Sequence, residues 1–321
     1  DSLWYSTYIG GTGNDVGAAI AVAPNGTVVI AGYTSSEDFP MLGNGVQTSN
    51  RGGFEAIVMQ VDTTLATESV RYTSYFGGAS TDVATGIAVT PGNQVYLSGY
   101  TMSADFPTAG DAPQLEYGGG GDAFLVRFDL NKPGLDALDF GTYLGGTDTD
   151  LSYGLRRDST GRLYLVGYTM STDFPVTESA FQRDKNGEAD LFLTRFDVAS
   201  NGSVGINYST FLGGNATDIG YGLAVDNAGR VAISGYTYST NFPLAGNSHQ
   251  PALGGGYDAF VSVLNVNQSG AAGLIYSTYF GGPATEVGYG VAFDNRGNLA
   301  LAGVTTSLDG IVAGTSPAQQ N

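Results

Sequence analysis

The chain has 321 residues and carries 30 acidic against 12 basic residues, which gives a net charge of −18. This acidity argues against nucleic acid as a partner, because phosphates need a basic surface. The absence of cysteine excludes disulfides and thiol chemistry, and no run of residues is long and apolar enough to predict a transmembrane segment.

The first predicted element is a strand in residues 1–11, which ends in the phrase YSTYIGG. Closely similar phrases return four times, and their second glycines are 67, 68, 68 and 68 residues apart. Such a regular period indicates repeated structural modules. The repeat units are therefore 12–78, 79–146, 147–214, 215–282 and a partial unit, 283–321.

Each complete unit predicts four strands in the same order. In the second unit they are TGIAVTP, QVYLSGYT, DAFLVRFDL and LDFGTYLGG, which are rich in β-branched and aromatic residues and bounded by Gly, Pro, Asn and Asp. No segment has helical periodicity. Four antiparallel strands, repeated about five times, predict an all-β five-bladed β-propeller that forms a single domain over residues 1–321.

Within the units, GYT is followed by DFP or NFP and then by a Gln seven residues after the Pro. Together with GG.DAFLVRF and YSTYLGG, this compound pattern resembles the bacterial β-propeller repeat (SBBP) family along nearly the whole chain. The resemblance implies a secreted or cell-surface prokaryotic protein, often part of a large adhesin-like chain, and implies no reaction. The sequence does not begin with a signal peptide, so export predicts that a leader has been removed.

The two ends of the chain predict how the ring closes. Residues 1–11 are expected to join the last blade as its outer strand, which removes exposed sheet edges. The last unit supplies two inner strands but lacks the third, so three explanations stay open: the tail fills the slot, a partner chain donates a strand, or the sequence is a fragment. The candidate closure and assembly residues are Leu3, Trp4, Tyr5, Tyr8, Ile9, Ile311 and Val312.

Three series of acidic residues recur once per unit and are expected on one face of the disc. Clustered carboxylates bind hard cations such as Ca²⁺. The alternative is that each acid accepts hydrogen bonds from loop backbone N–H groups. The series are Asp15, Asp82, Asp150, Asp218 and Glu286; Asp38, Asp105, Asp173 and Asp309, with Asn241 interrupting; and Glu55, Asp122, Asp190 and Asp258.

No cofactor is predicted to be required, and Ca²⁺ is the candidate metal. The segments DTD and DKNGEAD place oxygen-bearing side chains at alternate positions, although the second lacks the twelfth-position Glu of an EF-hand. The candidate calcium ligands are Asp148, Asp150, Asp184, Asn186 and Glu188.

Differences between units predict a ligand site. Arg156 and Arg157 replace small apolar residues of the inner strand, where they are candidates to bind an anionic ligand or to pair with acids such as Asp158. Tyr117, Tyr238 and Tyr257 break the repeat pattern or lie in long loops, and they are candidates to stack on a glycan.

The sequence predicts a non-enzymatic extracellular or cell-surface protein, because a chain with one histidine and no cysteine lacks the common nucleophile and base pairs. Its predicted role is a structural or adhesive module that self-assembles through its incomplete blade into a homo-oligomer or filament. The alternatives are a monomeric lectin-like module that binds a glycan or surface protein and, remotely, a glycan hydrolase using paired carboxylates.

Overall fold

The structure is a computed structural model that describes residues 3, 5–42, 45–65 and 69–308. Within these residues the chain forms β-strands, turns and loops, together with two short 3₁₀ turns at Gly134–Ala137 and Gly270–Gly273. The all-β prediction is confirmed. Across the same residues, no helix is long and apolar enough to cross a membrane.

The four complete units each form a four-stranded antiparallel sheet whose strands lie side by side in chain order, as predicted. The strands of the first two sheets are β1 (Asp15–Val22), β2 (Val28–Thr34), β3 (Glu55–Val61) and β4 (Val70–Phe76), then β5 (Asp82–Val89), β6 (Gln94–Thr101), β7 (Asp122–Asp129) and β8 (Leu138–Leu144). Those of the next two are β9 (Asp150–Arg157), β10 (Leu163–Thr169), β11 (Asp190–Val198) and β12 (Val204–Leu212), then β13 (Asp218–Val225), β14 (Arg230–Thr237), β15 (Asp258–Asn265) and β16 (Leu274–Phe280).

The fifth unit contributes a two-stranded sheet within the described residues, β17 (Glu286–Phe293) and β18 (Leu299–Thr305). Most residues of β18 are exposed. The candidate closure residues Ile311 and Val312, and Asp309 of the second acidic series, lie outside the described part of the chain.

The first strand contains a β-bulge in the first, second, fourth and fifth repeat units. The register of the first strand against the second shifts by one residue at Ala18, Thr85, Tyr221 and Tyr289. A bulge bends the strand and re-aims the side chain of the extra residue. The four-strand pattern of the sequence does not predict it.

The chain divides into two compact units, Asp1–Leu155 with Ala199–Gly205 and Arg156–Val198 with Ile206–Asn321, so the boundary falls within β9 and β12. In the first, the Phe76 ring contacts Phe106 and Phe128 edge-on, with centroids 5.0 and 4.9 Å apart. In the second, Phe242 packs against Phe260, with centroids 4.7 Å apart. Each of the two compact units thus has its own aromatic core.

The N-terminal segment differs from the expected closing strand. Residues 5–14 are not part of any strand, and the Tyr5 hydroxyl forms a hydrogen bond of 2.6 Å with Ser69 Oγ. Tyr5 and Ile9 pack against the buried side chains of the first sheet, whereas Leu3 and Tyr8 are exposed. Trp4 lies outside the described residues.

Candidate functional site

Two of the three acidic series occupy strand starts. Members of the first series begin β5, β9, β13 and β17, and members of the third begin β3, β7, β11 and β15. Alternate strands of an antiparallel sheet run in the same direction, so the first and third strands start at the same edge. Acids of successive units meet there as four buried carboxyl pairs: Glu55–Asp82, Asp122–Asp150, Asp190–Asp218 and Asp258–Glu286.

The first glycine of the repeated GG phrase lies against both members of three of these carboxyl pairs. A Cβ on Gly145 would be 2.7 Å from Asp122 Oδ1 and 2.8 Å from Asp150 Oδ2, closer than real Cβ contacts allow. The two carboxylate oxygens therefore occupy the volume that any side chain at residue 145 would need. The same arrangement recurs at Gly213, between Asp190 and Asp218, and at Gly281, between Asp258 and Glu286.

The Gln that follows the DFP segment links each carboxyl pair to the GG phrase. Gln114 Nε2 donates to Asp122 Oδ2 at 3.0 Å, and Gln114 Oε1 accepts from the Gly145 N–H at 3.0 Å. The Gly146 N–H in turn donates to Asp150 Oδ2 at 2.7 Å. This network joins the third strand of one unit to the first strand of the next. Gln47, Gln182 and Gln250 repeat it.

The second acidic series holds the backbone just after the GG phrase. Asp38 Oδ1 accepts from the Thr12 N–H at 2.8 Å, and Asp105 Oδ1 accepts from the Ala79 N–H at 2.8 Å. Asn241, which interrupts the series in the sequence, accepts from the Asn215 N–H at 2.8 Å in the same way. These hydrogen bonds match the alternative in which the acids satisfy loop backbone groups.

The predicted calcium ligands fall in two segments with different surroundings. Asp148 is exposed and accepts from the Thr149 N–H, whereas Asp150 is buried in a carboxyl pair. In the other segment, Asp184, Asn186 and Glu188 are all exposed. The described residues contain no group of three or more His, Cys, Asp or Glu side chains arranged to hold a metal ion.

The predicted arginine site lies at the end of β9, where Arg156 is exposed and Arg157 half-buried. Asp158, the acid suggested as their partner, accepts from Arg162 Nε at 2.9 Å and from the Tyr164 hydroxyl at 3.0 Å. The Asp158 carboxylate is therefore held by Arg162, just before β10, and by Tyr164 within β10.

The three tyrosines singled out from the sequence lie in two places. Tyr117 packs on the buried Tyr143 ring, with centroids 5.8 Å apart, as part of the core of the first compact unit. Tyr238 and Tyr257 contact each other, with centroids 4.8 Å apart, at the end of β14 and the start of β15. Only the second pair belongs to a larger aromatic surface.

That surface is a tyrosine cluster formed by Tyr221, Tyr236, Tyr238, Tyr257 and Tyr289. The Tyr236 ring lies 5.1 Å from Tyr257 and 6.0 Å from Tyr221, and Tyr221 lies 5.4 Å from Tyr289. Tyr238 and Tyr289 are 44% and 58% exposed. Burial, reinforced by the neighbouring tyrosines, raises the pKa of Tyr236 to about 12, which keeps its hydroxyl neutral at physiological pH.

Sequence reasoning missed Tyr221, Tyr236 and Tyr289. Tyr236 belongs to the GYT motif, which recurs in four units, so the sequence does not set it apart from the other repeated tyrosines. Tyr221 and Tyr289 are the bulged residues of β13 and β17, so their direction depends on a bulge that the strand pattern does not reveal. Comparing equivalent positions between units is the signal that could have found them, because only the fourth unit has tyrosine at all four of the corresponding sites.

Comparison with known proteins gives limited similarity. No family model matches the chain. Regulatory protein FlaEY of Caulobacter vibrioides is 26% identical over 330 aligned positions, which cover 96% of this chain and 32% of that protein. The chain thus spans about a third of the length of this curated relative. The PQQ-bound aldose sugar dehydrogenase of Streptomyces coelicolor has a TM-score of 0.38 and 15% identity, covering 92% of this chain and 76% of that one.

The prediction of a structural or adhesive self-assembling module is wrong. The curated relative that matches nearly the whole chain is a regulatory protein, and its name indicates neither adhesion nor assembly. The physical reason for the error is that the repeat pattern specifies strands and turns, whereas function depends on surface residues that differ between units.

Proposed function

We propose that this chain is a non-catalytic, five-bladed β-propeller module of the SBBP type within a regulatory protein, and that it binds another protein. The tyrosine cluster carries the proposal, because it is an exposed aromatic surface concentrated in one part of the repeat array. The name of the curated relative supports the regulatory role. A single-domain organisation and a secreted or cell-surface location remain predictions from the sequence.

The chemistry of the tyrosine cluster suits a protein partner. Tyrosine is enriched at protein interfaces because it offers a large, rigid contact area with few rotatable bonds and a hydroxyl for hydrogen bonding. Tyr238 and Tyr289 present exposed rings; Tyr238 contacts the rings of Tyr236 and Tyr257, and Tyr289 contacts the ring of Tyr221. These contacts reduce the side-chain entropy lost on binding.

Charge indicates the kind of partner. A net charge of −18 attracts basic proteins over long range and repels acidic ones. The partner is therefore expected to present basic residues around an apolar contact for the tyrosines. Association should slow as salt rises, because screening weakens long-range attraction between charged surfaces.

A two-stage experiment tests this function. The wild-type chain, a Tyr238→Ala/Tyr289→Ala variant and a Tyr8→Ala control serve as baits in an extract of the organism that encodes the chain. Tyr8 is fully exposed and lies outside the cluster. A candidate partner must bind wild type and the Tyr8 control and be lost by the double variant; it is then purified and its affinity measured by calorimetry.

We expect the double variant to bind the purified partner at least about tenfold more weakly, as for loss of interface hot spots, with an unchanged melting temperature. If every captured protein binds the double variant and wild type equally, the tyrosine cluster is not the binding surface and the proposal fails.

A further inference from the structure

The rings of the tyrosine cluster are in contact with one another. Tyr236, Tyr238 and Tyr257 have centroids 4.8, 5.1 and 5.9 Å apart, and Tyr221 lies 5.4 Å from Tyr289. These separations fall in the range of about 4.5–7 Å that is typical of touching aromatic rings. The space between the rings is therefore filled, and the cluster is not a cage that surrounds a quaternary ammonium group. A ligand has to lie across the outer faces of the rings.

The cluster forms a row with an exposed tyrosine at each end. Successive contacts of 5.9, 6.0 and 5.4 Å lead from Tyr238 through Tyr236 and Tyr221 to Tyr289. Tyr238 directly follows β14, and Tyr289 is the bulged residue of β17. Both are exposed, whereas Tyr221 and Tyr236 between them are half-buried. A row of this kind suits an extended ligand.

The hydroxyl groups add hydrogen-bond donors to the ring faces. Burial, followed by the neighbouring tyrosines, raises the pKa of Tyr236 to about 12 and also raises the pKa of Tyr221. Both hydroxyls are therefore neutral at physiological pH, and a neutral phenol donates a hydrogen bond to a carbonyl oxygen. The surface thus combines flat apolar faces with donors that need an acceptor on the ligand.

A polyproline II helix has the matching chemistry. It is extended, rises about 3.1 Å per residue and has no internal hydrogen bonds, so its backbone carbonyls are free to accept from tyrosine hydroxyls. Its proline rings dock in aromatic-lined sites. Because proline fixes this conformation before binding, little conformational entropy is lost when the segment docks.

An amphipathic helix and an added β-strand fit this surface less well. A helix satisfies its own backbone groups, so it offers few carbonyl acceptors to the tyrosine hydroxyls. An added strand needs free backbone groups at a sheet edge. Here the Tyr236 backbone pairs with Ile219 and Ala259, and the Tyr257 carbonyl accepts from the Glu286 N–H at 3.0 Å.

The charges around the cluster favour a basic residue beside the prolines. The two arginines of residues 215–308 lie away from the cluster: Arg230 begins β14 and is six residues, or about 20 Å, before Tyr236, and Arg296 lies in the turn between β17 and β18. Acidic residues instead begin the strands at the edge where β14 ends. They are Asp218, Asp258 and Glu286. This edge therefore attracts positive charge.

We propose that the tyrosine cluster binds a proline-rich segment that adopts a polyproline II helix and carries a basic residue at one end. This inference rests on the proposed function and narrows it to one class of partner segment. Proline rings of the segment pack on Tyr238 and Tyr289, its backbone carbonyls accept from tyrosine hydroxyls, and its basic residue lies towards the acidic edge of the sheets.

A library of synthetic peptides tests the proposal on the complete chain. Each peptide has twelve residues, with proline at every third position, arginine at one end and varied uncharged residues elsewhere. Fluorescence anisotropy measures binding to wild type, to Tyr238→Ala/Tyr289→Ala and to the Tyr8→Ala control. We expect the best peptides to bind wild type and the control equally and the double variant at least about tenfold more weakly.

Two further changes test the stated chemistry of the peptide. Replacing its prolines with alanine should weaken binding by at least about tenfold, because the extended conformation is no longer preformed. Replacing its arginine with glutamate should weaken binding by several-fold at low salt and by less at high salt. Peptides that bind equally well without proline would overturn the proposal.

Tyr238→Phe/Tyr289→Phe separates the hydroxyls from the rings. This variant keeps the aromatic surface and should bind the best peptide about threefold to tenfold more weakly, as expected for the loss of hydrogen bonds. It also serves as the test variant if the alanine variant does not fold. Binding as tight as that of wild type would overturn the hydrogen bonding on which the polyproline II assignment rests.

The outcome is distinguishable from failure of the proposed function. If no library peptide binds wild type more tightly than the alanine variant, but an extract yields a protein that only the alanine variant loses, the cluster is a binding surface and the proline-rich assignment is overturned. If neither peptides nor extract proteins distinguish the two, both proposals are overturned.

Discussion

Gly145 shows how a single residue position is constrained by two others. Its Cβ position is taken by oxygens of Asp122 and Asp150, and its N–H is held by Gln114. The second glycine of the phrase is restricted differently: at Gly214 a Cβ would lie 2.5 Å from Asn241 Oδ1. Both glycines of GG are thus required by close approach rather than by an unusual backbone angle.

Gly145→Ala should destabilise the protein by about 1–3 kcal/mol, the usual cost of forcing extra volume into a packed site. The measurement is the free energy of unfolding from urea denaturation. The matched control is Gly205→Ala, because nothing lies within 4 Å of the Cβ position at this exposed glycine of β12. The control should change stability by no more than about 0.5 kcal/mol; equal effects at the two sites would contradict the steric argument.

At the scale of the element, a tyrosine in the fourth strand forms hydrogen bonds with the backbone of the DFP loop in the same repeat unit. The Tyr143 hydroxyl accepts from the Phe106 N–H at 3.1 Å and donates to the Ser103 carbonyl at 3.0 Å. Tyr75 and Tyr279 make the same two bonds in their units. The third unit has Phe211 at this position, so its loop is held without the hydroxyl.

Tyr143→Phe should therefore cost about 1–2 kcal/mol of stability, because it removes two hydrogen bonds and leaves the Phe106 N–H and the Ser103 carbonyl only the 3.3 Å hydrogen bond that joins them. The change keeps the ring, so packing against Phe106 is preserved. Urea denaturation measures the loss, and Tyr8→Phe at a fully exposed position is the control. A Tyr143→Phe variant as stable as the control would show that the hydroxyl does not anchor the loop.

At the scale of the whole molecule, the excess of acidic residues opposes folding. Ion pairs such as Arg51–Asp105 at 3.2 Å are exposed and contribute little. With 30 acidic against 12 basic residues, repulsion outweighs these attractions in the folded state. Salt weakens both the repulsion between acidic residues and the attraction within ion pairs. Because the repulsion is larger, added salt should stabilise the folded protein.

Raising NaCl from 20 to 200 mM at pH 8 should accordingly increase the melting temperature by a few degrees, as followed by circular dichroism. At pH 5 the increase should be smaller, because protonation of part of the carboxyl groups reduces the net charge. A melting temperature that falls with salt at pH 8 would mean that the ion pairs dominate.

Much of the fold was predictable because strands and turns are encoded locally. The alternation in QVYLSGYT and DAFLVRFDL predicts β6 and β7. The bulge at Tyr221 was not predictable, since GYG reads as part of a continuous strand. The N-terminal phrase gave a wrong expectation because it repeats the sequence of an outer strand. Tyr5 and Ile9 instead lie outside any strand and pack against the first sheet.

The sequence by itself determined the period of the repeat, the order of four strands per unit and the excess of negative charge, because these depend on neighbouring residues and on composition. Only the tertiary structure decided that Asp122 faces Asp150 across Gly145 and that Tyr289 meets Tyr221. These contacts join residues from successive units. Their geometry depends on the start of each strand and on bulges, which the local pattern of apolar and polar residues does not specify.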